Sequence, residues 1–160
     1  MIDSEDKKKL WDLIGDMKIG MLSTVDDGAL RSRPMCLAQK DFDGTLLFFL
    51  SSDSAVAEEV SDNCTVNVSF MDTGDNVYVS LSGVGRLISD PEVKKQHTNP
   101  MIDTWFPEGV ESDGVQLLQI DVDFAQYWES NNGKLMSLLE IGLAKLHHRK
   151  PDLGENVKMA

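Results

Sequence analysis

Residues 65–70 read Thr-Val-Asn-Val-Ser-Phe, with Val66, Val68 and Phe70 alternating against Thr65, Asn67 and Ser69. A period of two means one wet face and one buried face, as in an antiparallel sheet. Gly74 turns the chain, and residues 77–88 continue as a long strand that carries Gly83 and Gly85. Glycines inside a strand mark a bulge or a sharp bend, the device by which a small sheet curls. These two segments direct the chain toward a curled antiparallel sheet, and the remaining segments are consistent with it.

Upstream, residues 4–16 read as a helix, with Leu10, Leu13, Ile14 and the following Met17 at helical spacing and Ser4 placed to cap. Residues 18–25 and 29–38 read as two strands about the Asp26-Asp27-Gly28 hairpin signal. Pro34 in the second strand lacks an amide donor and belongs at an edge or bulge. After Asp43-Gly44 comes an apolar strand, Thr45 to Leu50, and then a short helix over 53–62 with its acids expected outward. Asp90-Pro91-Glu92 opens another short helix, and Asn99 to Gly114 reads as a looser stretch. Residues 115–128 form a last long strand, and Leu135, Leu138, Leu139, Leu143 and Leu146 mark a helix over 134–147. The expectation is a mainly β fold: one domain over 1–150, a six-stranded antiparallel split β-barrel with peripheral helices, and a loose tail over 151–160.

Charge narrows the function. With 27 acidic and 15 basic residues the net charge is −12, which disfavours nucleic acid and anionic membrane surfaces as partners. No basic residue lies between Lys40 and Arg86, a stretch holding eight acids. An anion site must therefore draw on Arg31, Arg33, Arg86 or a partner chain. Cys36 and Cys64 are too few for a disulfide framework and have no metal-ligand spacing. The charged start has no apolar signal region, and no apolar run reaches membrane-spanning length, so a reducing cytoplasm is the expected setting. Phosphate-loop, dinucleotide and zinc signatures are absent. His97, His147 and His148 read as solvated helix residues, and no side chain stands out as catalytic or as a metal ligand.

Several short segments, in order, resemble the general stress protein 26 group of the pyridoxamine 5'-phosphate oxidase-related FMN-binding split-barrel family. They are Leu30-Arg31-Ser32-Arg33-Pro34-Met35, Phe42-Asp43-Gly44, Phe48-Phe49-Leu50-Ser51-Ser52-Asp53-Ser54, Val66 to Phe70, Tyr78 to Gly83, Asn99-Pro100-Met101, Trp105-Phe106-Pro107 and Tyr127-Trp128. The resemblance implies a homodimer with FMN at the subunit interface. It places Arg33 at the FMN phosphate, Pro34 and Met35 beside the isoalloxazine ring, and Phe49, Leu50 and Ser54 along the phosphate and ribityl chain. Tyr78 and Trp128 would approach the flavin, often from the other subunit, and Trp105 would cover the ring.

The implied activity is flavin-mediated redox of a small molecule. The alternative is a non-catalytic flavin, heme or deazaflavin binding or storage protein. Pyridoxamine-phosphate oxidation is not expected, because that enzyme's C-terminal basic cluster has no counterpart here. The chain also departs from the family at Val56, where a lysine commonly follows the serine. Losing one charge-assisted phosphate contact weakens binding by roughly 1.5–3 kcal/mol.

Overall fold

The structure is a computed structural model and describes residues 2–129 and 155–159. Helix α1, Ser4–Ile14, is capped by Asp3, whose carboxylate accepts from the amides of Glu5 and Asp6. Capping thus starts one residue earlier than Ser4. Strands β1 (Ile19–Asp26) and β2 (Ala29–Cys36) form a hairpin through Asp27 and Gly28, both at positive φ, +46° and +77°. A two-residue turn of this kind matches the twist of the strands it joins. Then come β3 (Thr45–Ser51), α2 (Ala55–Asp62), β4 (Thr65–Asp72), β5 (Val77–Ile88), α3 (Pro91–His97), α4 (Pro100–Trp105), β6 (Val115–Glu129) and β7 (Glu155–Met159).

All pairings are antiparallel, in the order β2-β1-β4-β5-β6-β3, with β7 also on β6. The fifteen-residue β6 is the organiser: β5 runs along one edge, while β3 and β7 share the other. A bridge between Leu37 and Phe48 brings the end of β2 back toward β3 and draws the sheet into the split barrel. The register of β5 on β6 shifts at Ser82/Gly83, where the strand bends.

Two expectations need correction. The sheet has seven strands, because residues 155–159 of the expected loose tail pair with β6 and bury Met159 at 6% exposure. Asn99 to Gly114 is not loose throughout, since Asn99 caps α4 by accepting from the amides of Met101 and Ile102, with Pro100 at the first turn. The helix expected over 134–147 lies outside the described residues.

The interior divides along β3. Leu46, Phe48 and Leu50 point into the barrel with Leu22, Val68, Phe70, Leu81 and Ile120. Leu47 and Phe49 point the other way, into a smaller cluster with Ile102, Val110, Val115 and Leu117. A strand buried on both faces reads as continuous apolar sequence, as Leu46 to Leu50 does. Under the second cluster the ammonium of Lys94, 1% exposed, donates to the carbonyls of Ser112 and Val115 at 2.8 Å each, fixing the loop that enters β6. No helix among the described residues is long and apolar enough to cross a membrane.

Candidate functional site

The second cluster opens to solvent as a cleft of about 420 Å3. Its floor is β2 at Pro34, Met35 and Cys36 and β3 at Phe49, and its far wall is α4 with Ile102, Trp105 and Phe106. Phe49 and Phe106 meet with ring centroids 6.3 Å apart and planes tilted by 56°, an arrangement aromatic pairs favour. Trp105 is 73% exposed and projects from the end of α4. The walls are almost wholly carbon and sulfur, and the volume suits a flat, mostly apolar ligand. Cys36 sits within 3.2 Å of the Met101 sulfur. Burial pushes its thiol up from the usual cysteine range, with Lys18 opposing the shift.

Two roomier hollows are less suited to such a ligand. One, about 450 Å3, is walled by Gln39, Lys40, Asp41, Asp43 and His97. Hydrogen bonds from Thr45, the hydroxyl's first, hold Asp43 below the usual carboxylate range there. The other, about 630 Å3, carries Asp12, Asp16, Asp72, Asp75 and Glu129. Both are polar, and neither offers the dry walls a planar ring needs.

Of the residues singled out in the sequence, Pro34, Met35, Phe49 and Trp105 come together in the cleft. Leu50 does not: alternation along β3 turns it into the barrel at 5% exposure. Ser54 caps α2, its hydroxyl accepting from the Ala57 amide, and lines a separate shallow hollow with Asp53 and Glu58. Tyr78 and Trp128 are direct cross-strand partners on the outer face of the sheet, each 38% exposed.

Arg33 has the most consequential placement. It lies opposite Leu22 in the hairpin and reaches Glu59 of α2, and it is not among the residues that line the cleft. Its guanidinium Nη2 donates to both carboxylate oxygens of Glu59, at 2.7 and 3.0 Å, and Nη1 donates to the Thr24 hydroxyl. That hydroxyl in turn donates to Glu59. Thr24 is fully buried, Glu59 is 8% exposed and the Arg33 side chain is 23% exposed. The acids of α2 were expected outward; Glu59 instead shares the inner face with Val56 and Val60, three and one residues away. A carboxylate is tolerated there because a guanidinium and a hydroxyl meet it.

Ile19, Cys36, Met101, Ile102 and Phe106, which complete the cleft, and Glu59 were given no site role in the sequence, although Met101 and Phe106 stand in the quoted motifs. For Met101, Ile102 and Phe106 the available signal was Asn99-Pro100, which opens the helix that brings them in.

The geometry can be set beside known proteins. A family model described as "Pyridoxamine 5'-phosphate oxidase like" matches residues 5–152. The chain belongs to this family. It is 32% identical over 101 residues to protein bli-3 of Neurospora crassa, a match covering 61% of this chain and 47% of bli-3, so it spans about half of that relative. General stress protein 26 of Bacillus subtilis is 25% identical over 119 residues, covering 72% of this chain and 82% of that protein.

Among solved structures, a candidate general stress protein 26 from Jannaschia sp. CCS1 superposes with a TM-score of 0.76 at 25% identity, covering 99% of each chain. A general stress FMN/FAD binding protein from Xanthomonas citri superposes with a TM-score of 0.69 at 29% identity, covering 82% of this chain and 93% of that one. Within the family the chain thus falls with the general stress protein 26 group.

The residues present fit one part of a flavin. The cleft of Pro34, Met35, Phe49, Trp105 and Phe106 suits the ring. The phosphate of FMN finds no comparable seat among the described residues: Arg33 is occupied by Glu59, Val56 is buried, and Asp53 and Glu58 stand at the start of α2.

Proposed function

We propose that this chain is a flavin-binding protein of the general stress protein 26 type that works as a homodimer. The isoalloxazine ring would lie in the cleft between β2, β3 and α4. The observation that carries the reading is the meeting of Pro34, Met35, Phe49, Trp105 and Phe106 around one dry, flat space. The FMN/FAD binding relative of the same fold supports it. When bound, the flavin supplies hydride and electron transfer to a small molecule. The protein's part is to hold the ring: the β2 backbone at Pro34 and Met35 flanks it, Phe49 and Phe106 wall it, and Trp105 shields it from water. Among the described residues no carboxylate or imidazole lines the cleft, and burial pushes the Cys36 thiol up.

Supporting the dimer is the outer face of the sheet. Met21, Met71, Tyr78, Phe124 and Trp128 are all more than a third exposed there, interspersed with Ser23, Ser69, Ser80 and Ser82 in register across β1, β4, β5 and β6. An apolar face with small residues between its large ones suits close approach of another sheet. Ile19 and Pro34 lie on this same face and also line the cleft, so a second copy seated there would close the cleft's open side.

Two measurements test the reading. Titrating the protein into riboflavin should quench the flavin's fluorescence, and Trp105→Ala should weaken binding by roughly three- to tenfold, the worth of one aromatic contact. Absence of quenching by riboflavin, FMN or lumichrome at any accessible protein concentration sinks the ring site. Sedimentation should give a dimer, and Trp128→Glu should convert it to a folded monomer; a parent protein that sediments as a monomer overturns that part.

A further inference from the structure

We infer that Glu59 sets the ligand preference of the cleft, favouring a flavin whose tail ends in a neutral hydroxyl over one ending in phosphate. The inference rests on the ring site proposed above and concerns what the rest of the ligand must be.

A phosphate monoester carries close to two negative charges at neutral pH, and proteins seat it with guanidinium groups, ammonium groups or clustered backbone amides. Among the described residues the cleft offers none of the charged groups: its lining contains no basic side chain. Arg33, two residues before Met35 on β2, is not among the lining residues and gives its guanidinium to Glu59 and Thr24. The start of α2 presents Asp53 and Glu58 rather than a cation. Lys18, close enough to Cys36 to act on its thiol, is exposed, and its ammonium donates to the Gly15 carbonyl; an exposed cation contributes little to a charge pair.

For Arg33 to serve a phosphate it would have to leave Glu59, stranding a carboxylate that is 8% exposed. Pairing Arg33 with both anions places the phosphate against Glu59 itself. Either arrangement opposes binding, and neither penalty applies to a ribityl chain ending in hydroxyl. Glu59 thus acts on specificity without touching the ligand, by occupying the cation a phosphate would use.

The experiment is a pair of fluorescence titrations, with riboflavin and with FMN, on the parent protein and on Glu59→Gln. Glutamine keeps the side-chain length and can still accept from Arg33, so the hairpin and α2 remain tied. The parent should bind riboflavin at least as tightly as FMN. In Glu59→Gln the riboflavin affinity should stay within about twofold, while FMN affinity should rise tenfold or more, because the guanidinium gains a free charge.

A purely structural Glu59 would lower the melting temperature without moving the ratio of the two affinities, and that result overturns the inference. A parent protein that prefers FMN by tenfold or more overturns it as well. Failure of both flavins and of lumichrome to bind would instead refute the ring site.

Discussion

Gly83→Ala is expected to lower the stability of this protein by about 3 kcal/mol or more, at the upper end of what overpacking costs. For a domain of this size that corresponds to a fall of roughly 6–12 °C in melting temperature. A methyl group at Gly83 would stand 2.1 Å from the Asp121 carbonyl oxygen, 2.9 Å from its carbon and 3.0 Å from the Val122 Cα. All three are backbone atoms of β6. A flexible side chain could swing away, but β6 is held by β5 on one edge and by β3 on the other. The strand pair must separate at its bulge, with loss of ladder hydrogen bonds on both sides of Ser82/Gly83.

Gly28→Ala is the control. Nothing lies within 4 Å of its added carbon, and only its positive φ of +77° is strained, which costs about 1–2 kcal/mol. Urea denaturation of the two variants separates contact from conformation. A Gly83→Ala protein no less stable than Gly28→Ala would mean that the close approach at the bulge does not govern the fold.

The sequence makes this bulge visible because two glycines interrupt an otherwise regular alternation, and the extent read for that strand, 77–88, matches β5. It shows β7 poorly for an opposite reason. Glu155 to Met159 contributes only Val157 and Met159 to the apolar side, and two residues of alternation in a polar tail do not distinguish a strand from coil. The pairing that orders it comes from β6, far away in the chain.

The cleft was half legible. Motif resemblance supplied Pro34, Met35, Phe49 and Trp105, but its other wall depends on how α4 packs across β2 and β3, which no local pattern encodes. The direction of Arg33, by contrast, was available. A two-residue turn at Asp27-Gly28 pairs Asp26 with Ala29 and therefore Leu22 with Arg33. Leu22 is apolar and faces inward, so its partner must as well. An inward arginine requires a buried acceptor, and Glu59, set among Val56, Ala57 and Val60, is the acid whose surroundings mark it as that acceptor.

Arg33→Ala is accordingly expected to act first on folding. Removing one member of a buried ion pair leaves the other charge without its partner, at a typical cost of 3–5 kcal/mol. Arg33 keeps part of its guanidinium in water and Thr24 still donates to Glu59, so the loss here should be about 2–3 kcal/mol. The complementary variant removes the whole cluster: Thr24→Val, Arg33→Met and Glu59→Met together. It replaces three mutually satisfied polar groups with apolar ones of similar size, an exchange that is often neutral or stabilising. It should fall within about 1 kcal/mol of the parent in urea denaturation.

The pair of measurements distinguishes two roles for the arginine. If Arg33 is held in the structure by Glu59, the single variant is unstable, the triple variant recovers, and riboflavin affinity at the cleft is little altered in the triple variant. If the guanidinium is instead free to hold a phosphate, Arg33→Ala leaves stability within about 0.5 kcal/mol of the parent, as surface substitutions do, and FMN binding alone declines. The donation of Nη2 to both oxygens of the buried Glu59 carboxylate, with Nη1 on Thr24, favours the first outcome.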